Sequence, residues 1–209
     1  MQYPVLYSFI RCPYAMRARL ALLKHGVSFH LREVNLKDKP SDMLKLSPKG
    51  TVPVMLLPSN QVIDESLDIV NWAFALEKDY RENPRETEQI SSFQNDFIYY
   101  VYRFKYPERY EDTDQATAKD KLQTYLEDLM PMLMSQEGLY AGSFSKAEVV
   151  MLPFIRQAYI ADESILAGPK YTVIKSWLED RLATELFSKA MAKAQVWSAT
   201  DHNQVLITA

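Results

Sequence analysis

Residues 5–26 read VLYSFIRCPYAMRARLALLKHG, and the change of pattern inside that stretch decides the fold. Val5, Leu6, Tyr7 and Phe9 form a short apolar run of the kind that makes a buried strand, and it stops at Arg11-Cys12-Pro13. From Pro13 to His25 the pattern turns helical, with Ala15, Leu20, Ala21, Leu22 and Leu23 apolar and Arg17, Arg19 and Lys24 polar. Proline suits the first turn of a helix, where its missing N–H is not needed, and Gly26 is a C-terminal stop.

Working outward, Phe29, Leu31 and the residues to Leu36 predict a second strand, with His30 and Arg32 on its polar face. Residues 40–46 predict a short helical turn. The apolar run 53–57 and Gln61-Val62-Ile63 flank Pro58-Ser59-Asn60, a hairpin signal. Asp64 or Glu65 then opens a helix whose apolar face is Leu67, Ile69, Val70, Ala73, Phe74 and Leu76. This order predicts a mixed α/β domain over residues 1–78. Residues 79–88 are charged, carry Pro84 and lack apolar periodicity, which predicts a linker.

Beyond it only helices are predicted, so residues 89–209 form an all-α domain. Ile90, Phe93, Phe97, Val101 and Phe104 recur at helical steps until Pro107. A second helix covers about 114–134. Ser145 with Glu148 has capping-box spacing and opens a very apolar helix that carries Pro153. Helices over 171–182 and 186–194 follow. The fold class is therefore α/β plus all-α.

A chain of 209 residues fits two modest domains, and 47% apolar with 24% charged residues excludes wholesale disorder. Lysine plus arginine total 24 against 27 acidic residues, a net charge of −3, which argues against nucleic acid as the main partner. A single cysteine, Cys12, excludes an internal disulfide framework and a thiolate zinc cluster. His25, His30 and His202 show no metal-ligand spacing, so no metal is expected. A lone thiol suits a reducing compartment, and Met1-Gln2-Tyr3-Pro4 lacks the basic start of a signal peptide. No window reaches the roughly 20 apolar residues that span a bilayer. The expectation is a cytoplasmic protein that does not engage membranes.

Three short segments carry possible chemistry. Cys12 precedes a helix that starts at Pro13, so it faces free N–H groups and the positive end of the helix dipole, both of which favour the thiolate. It reads as a nucleophile or redox thiol; the competing reading is a small buried apolar residue. Ala15 stands where a second thiol would be needed, so any thiol cycle passes through a mixed disulfide with an external thiol. Val52-Pro53 opens a strand, where Val52 either offers its backbone to an extended peptide or the proline simply marks an edge. A cis bond there would turn that backbone toward a ligand. Glu65 and Ser66 open a helix, either to hold a carboxylate and pair with an amino group or as plain N-cap material. Tyr99, Tyr100, Tyr102, Tyr106 and Tyr110, interleaved with Arg103, Lys105 and Arg109, read as packing or as an acceptor pocket for a co-substrate.

In combination, Cys-Pro-Tyr-Ala at 12–15, Val-Pro at 52–53 and Glu-Ser at 65–66, followed by a helical domain, resemble the cytosolic glutathione transferase family across the whole chain. The resemblance implies a thioredoxin-like N-terminal domain and a C-terminal helical bundle. It implies glutathione as co-substrate, with Val52 and Pro53 aligning its cysteinyl backbone and Glu65 and Ser66 holding its γ-glutamyl end. Tyr14 belongs to the same set through the 12–15 motif. Cysteine in the place of tyrosine or serine resembles the omega-type branch, in which the lysine before Pro40, Lys39, meets glutathione. The Ser145–Glu148 box resembles a folding motif of the family, with glutamate where aspartate is usual. The implied activity is thiol transfer from Cys12, reducing mixed disulfides or deglutathionylating small substrates, by a homodimer. The alternatives are a monothiol two-domain glutaredoxin and a non-catalytic binding protein on the same scaffold.

Overall fold

The computed structural model describes residues 2–135, 138–140, 144–198, 200 and 204–209. Met1 and His202, named above, lie outside the described residues. Two compact units are present: Met1–Tyr80 with Thr184–Ala209, and Arg81–Ala183.

In the first unit the predicted strand is β1, Val5–Ser8, fully buried, and the predicted helix is α1, Pro13–Lys24, with Cys12 at its N-cap and Pro13 in its first turn. Gly26 sits at φ +70°, the left-handed conformation that ends a helix cheaply only with glycine. β2, Phe29–Glu33, runs parallel to β1 in the register Val5↔His30 to Ser8↔Glu33. A short helix α2, Ser41–Leu46, follows. β3, Val54–Leu56, and β4, Val62–Ile63, form the expected hairpin, turning at Asn60 with φ +67°. α3, Ser66–Phe74, packs on α1. It ends before Leu76, which is 51% exposed rather than part of the apolar face.

Several expectations need correction. Arg17 and Arg19, read as the polar face of α1, are 0% and 1% exposed because the helix is covered on several sides, by the sheet, α3 and the later helix α9, Glu185–Ala190. His25 and His30 are half-buried: His25 packs edge-on against Phe74 with ring centroids 4.2 Å apart, and burial lowers its pKa. The region after residue 89 is not purely helical. Trp197 donates its N–H to the Glu33 carbonyl at 2.8 Å, and β5, Val205–Ile207, adds antiparallel to β2. The sheet order is β4-β3-β1-β2-β5. Three residues are too few to show a period, so this strand carries no signal in the sequence.

The second unit is helical. α4, Pro84–Ser92, begins inside the predicted linker: Asn83 accepts the Arg85 N–H at 3.1 Å, and Pro84 occupies the first turn. It continues through a π-helical stretch, Phe93–Phe97, into α5, Ile98–Lys105, and the predicted stripe from Ile90 to Phe104 is buried. α6, Gln115–Ser135, α7, Lys146–Ala161, and α8, Thr172–Leu182, complete it. Ser145 caps α7 by accepting the Glu148 N–H at 3.3 Å. The Glu148 carboxylate is fully buried and accepts from Leu139 and Phe144 N–H, the Trp177 indole and the Arg181 guanidinium. Among the described residues no helix is long and apolar enough to cross a membrane, and no three His, Cys, Asp or Glu side chains are grouped to hold a metal ion.

Candidate active site

The strand-to-helix turn places Cys12 at the mouth of α1, where its main chain is fixed by Cys12 N–H donating to the Phe9 carbonyl at 2.9 Å. The thiol is half-buried and donates to the Val52 carbonyl at 3.7 Å. Forty positions apart in the chain, these two residues are brought together by the pairing of β3 with β1. The Val52–Pro53 peptide is cis. Cys12 also packs on the cluster of Val5, Tyr7, Val34, Met43, Val52, Val54 and Trp197.

The electrostatics of the thiol differ from the sequence reading. The Ala15 and Tyr14 N–H groups and the Arg19 and Arg17 guanidiniums do favour the thiolate, but burial outweighs them and pushes the Cys12 pKa up. The helix terminus supplies the expected pull; the apolar packing around the sulfur opposes it more strongly. Burial therefore favours the protonated thiol in the ligand-free protein.

The loop from Ser47 to Pro53 gathers the other predicted residues. Lys39, exposed, has its ammonium beside Gly50, 3.5 Å from where a β-carbon on that glycine would lie. Lys49 pairs with Glu65 at 2.7 Å and with Asp64 at 3.3 Å, and Ser47 donates to Asp64 at 2.7 Å. These donors hold the Asp64 carboxyl below the usual range. Glu65 is the N-cap residue of α3 but makes no side-chain cap bond, so its carboxylate is turned to the loop, and Ser66 follows, 6% exposed. Val52 thus lies at the thiol, and Lys39 and Glu65 lie along the loop that leads to it. Tyr14 is part-buried on α1, with the Arg17 guanidinium 5.5 Å from its ring centroid.

Lys49, Arg19 and Glu33 were not singled out from sequence. Lys49 looks like any polar loop lysine. Glu33 had a signal: in the alternation of β2 it falls on the same face as Phe29 and Leu31, where a carboxylate needs a reason. Burial raises the Glu33 pKa against the pull of the Ile10 N–H and Arg19, and burial brings Arg19 down to about 10.

In the helical unit the tyrosine-rich segment is largely satisfied by itself. Arg103 lies between the Tyr99 and Tyr110 rings, 3.3 and 4.4 Å from their centroids, and grips Asp112. Tyr99 donates to the same carboxylate, and the Tyr106 ring lies between Tyr102 and Arg109. These contacts support the packing reading for Tyr99, Tyr106, Tyr110 and Arg103.

Residues 6–84 match the family model for the glutathione S-transferase N-terminal domain. Over 94 residues, 45% of this chain and 98% of the relative, the sequence is 35% identical to a probable glutathione transferase from Aplysia californica. It is 26% identical to glutathione S-transferase omega-1 from Sus scrofa, covering 83% of this chain and 74% of that protein. Among solved structures, a glutathione transferase family member from Pseudomonas fluorescens with two glutathione bound superposes with a TM-score of 0.77 over 91% of this chain and 92% of that one; at 16% identity this is a likeness of fold. The thioredoxin-like sheet, the helical second unit and these matches agree, and the chain belongs to the glutathione S-transferase family.

Proposed function

We propose that this protein is an omega-like glutathione-dependent thioltransferase in which Cys12 is the nucleophile. The observation that carries the reading is Cys12 at the N-terminus of α1 within reach of the Val52 backbone, as the protein's single cysteine. The glutathione cysteinyl backbone pairs with Val52 beside Pro53, its γ-glutamyl end meets Glu65, Ser66 and the start of α3, and Lys39 and Tyr14 complete the set. The likeness to an omega-1 relative supports this choice.

Cys12 loses its proton to solvent, and the thiolate attacks the glutathionyl sulfur of a mixed disulfide. A Cys12–glutathione disulfide forms, and the substrate thiolate leaves and takes up a proton. A glutathione thiolate then attacks that disulfide, forming glutathione disulfide and freeing Cys12, so one S–S bond breaks as another forms at each step and the incoming glutathione thiolate supplies the electron pair that leaves with the substrate thiolate. In the ligand-free form the Val52 carbonyl accepts the thiol proton. A ligand that takes this carbonyl removes one support of the protonated state. The co-substrate is a small thiol or mixed disulfide, the assembly is a homodimer, and the compartment is cytoplasmic; gel filtration with light scattering tests the dimer.

A second reading, a non-catalytic glutathione-binding protein, is favoured by the packing of the half-buried Cys12 thiol on an apolar cluster, burial that pushes its pKa up. Turnover of a glutathionyl mixed disulfide separates the two. The first reading expects turnover by the native protein and none by Cys12→Ser; retention on immobilised glutathione without turnover supports the second.

A further inference from the structure

The turn that carries Cys12 is gripped at one residue, through the two peptide groups on either side of it. Glu33 Oε1 accepts the Ile10 N–H at 2.8 Å, and Arg19 Nη2 donates to the Ile10 carbonyl at 3.0 Å. Both side chains are buried, 6% and 1% exposed. Glu33 Oε2 and Arg19 Nε and Nη1 take no hydrogen bond among the described residues. The hydrogen bonds of this buried acid and base therefore converge on Ile10, two residues before the thiol.

Burying a carboxylate and a guanidinium is unfavourable, and an apolar pair of similar volume serves stability as well or better. Strand pairing and helix packing do not require charges here. The main chain of Glu33 is itself well anchored: its carbonyl accepts the Trp197 N–H at 2.8 Å, and on the other side of the strand Val34 N–H donates to the Ser8 carbonyl at 2.8 Å. Arg19 stands on α1 seven residues after Cys12, two helical turns along the same face. A rigid strand end and a rigid helix thus hold the short turn between them.

We propose that Arg19 and Glu33 are positioning residues that clamp the Ile10 main chain and so fix the Cys12 sulfur beside the Val52 carbonyl. The inference deepens the thioltransferase reading and rests on it for its purpose, but the alkylation and exchange readouts of its test probe the turn directly and need no glutathione.

The test is alkylation of Cys12 by iodoacetamide across pH, followed by mass spectrometry, together with amide hydrogen exchange at Ile10 and Cys12 in the full-length protein. Glu33→Ala frees the Ile10 N–H. The loosened thiol gains water, its alkylation midpoint falls by about one pH unit, and alkylation at neutral pH rises about tenfold. Mixed-disulfide turnover falls by about tenfold in the same variant, because the sulfur is no longer held in place. Glu33→Gln removes the charge but keeps an oxygen for the Ile10 N–H, and it restores the native midpoint and rate. Arg19→Met frees the carbonyl side and speeds Ile10 and Cys12 amide exchange by about tenfold or more. Folded Glu33→Ala and Arg19→Met proteins with native alkylation midpoints and native exchange overturn the proposal. If neither variant folds, the unsubstituted protein decides. An Ile10 amide as protected as those of β1 supports the clamp, and one that exchanges like an open loop overturns it. A native protein without turnover whose turn still responds this way would sink the functional reading and leave the clamp standing.

Discussion

Glu148→Gln removes one charge and almost no volume from the helical unit, and its expected effect follows from the contacts of a single carboxylate. Oε1 accepts from Leu139 N–H at 3.0 Å, the Trp177 indole at 2.7 Å and Arg181 Nη2 at 3.1 Å; Oε2 accepts from Phe144 N–H at 2.6 Å and Arg181 Nε at 2.9 Å. The best placement of the glutamine amide keeps the Oε1 set. Its NH2 group then faces Phe144 N–H and Arg181 Nε, two donors with no acceptor. Each buried donor left unsatisfied costs about 1–3 kcal/mol, and breaking a buried ion pair from one side costs about 3–5 kcal/mol. These estimates overlap because Arg181 Nε enters both, so the expected loss is about 4 kcal/mol. With a urea m-value of about 2–3 kcal/mol/M, the midpoint of the helical transition falls by about 1.5 M. Far-ultraviolet circular dichroism during urea unfolding reads this directly, since urea does not screen charge. Adding Arg181→Met removes the stranded cation and recovers more than half of the loss. A loss below about 1 kcal/mol in the single variant would refute the reasoning, because the carboxylate would then not be the hub its contacts describe.

Gly138→Ala tests the same hub from the backbone. Gly138 has φ +97°, and a β-carbon there would meet Glu148 Oε1 and lie 2.6 Å from Arg181 Nη2, so a loss of about 3 kcal/mol is expected in the same urea experiment. The pH dependence of Cys12 has a definite sign. Burial raises its pKa, so the ligand-free protein holds the proton at neutral pH, and alkylation climbs only as pH rises past the ordinary thiol range. The unfolded chain in urea reaches half-maximal alkylation at a lower pH than the folded one; a folded midpoint at or below the unfolded one contradicts this.

Much of the architecture is written in local pattern. The run from Val5 to Phe9, proline after Cys12 and glycine after His25 give β1 and α1 their places because strand burial, helix start and helix stop each have a residue-level cause. The stripe from Ile90 to Phe104 is legible for the same reason. What local pattern does not hold is who meets whom at a distance. Arg19 looks like an ordinary helical cation until the sheet, α3 and α9 cover it. The strand Val205–Ile207 acquires its identity from the free edge of β2. Pro84, inside the predicted linker, serves as a helix start, since the missing N–H matters only in a helix interior. A common glutathione site for Cys12 and Val52 is implied by the resemblance to a family. The balance of forces on the thiol was not, because the helix terminus is visible in sequence whereas desolvation depends on the assembled core.

The most direct measurement of the central claim is the intact mass of the protein after brief exposure to a glutathionyl mixed disulfide, before and after adding reduced glutathione. With one cysteine in the chain the site of any disulfide adduct is unambiguous. The account predicts one glutathionyl group on Cys12, formed at a rate that supports turnover and removed by glutathione, with neither adduct nor turnover in Cys12→Ser. Turnover at the native rate by Cys12→Ser, or native turnover without passage through the adduct, would contradict it.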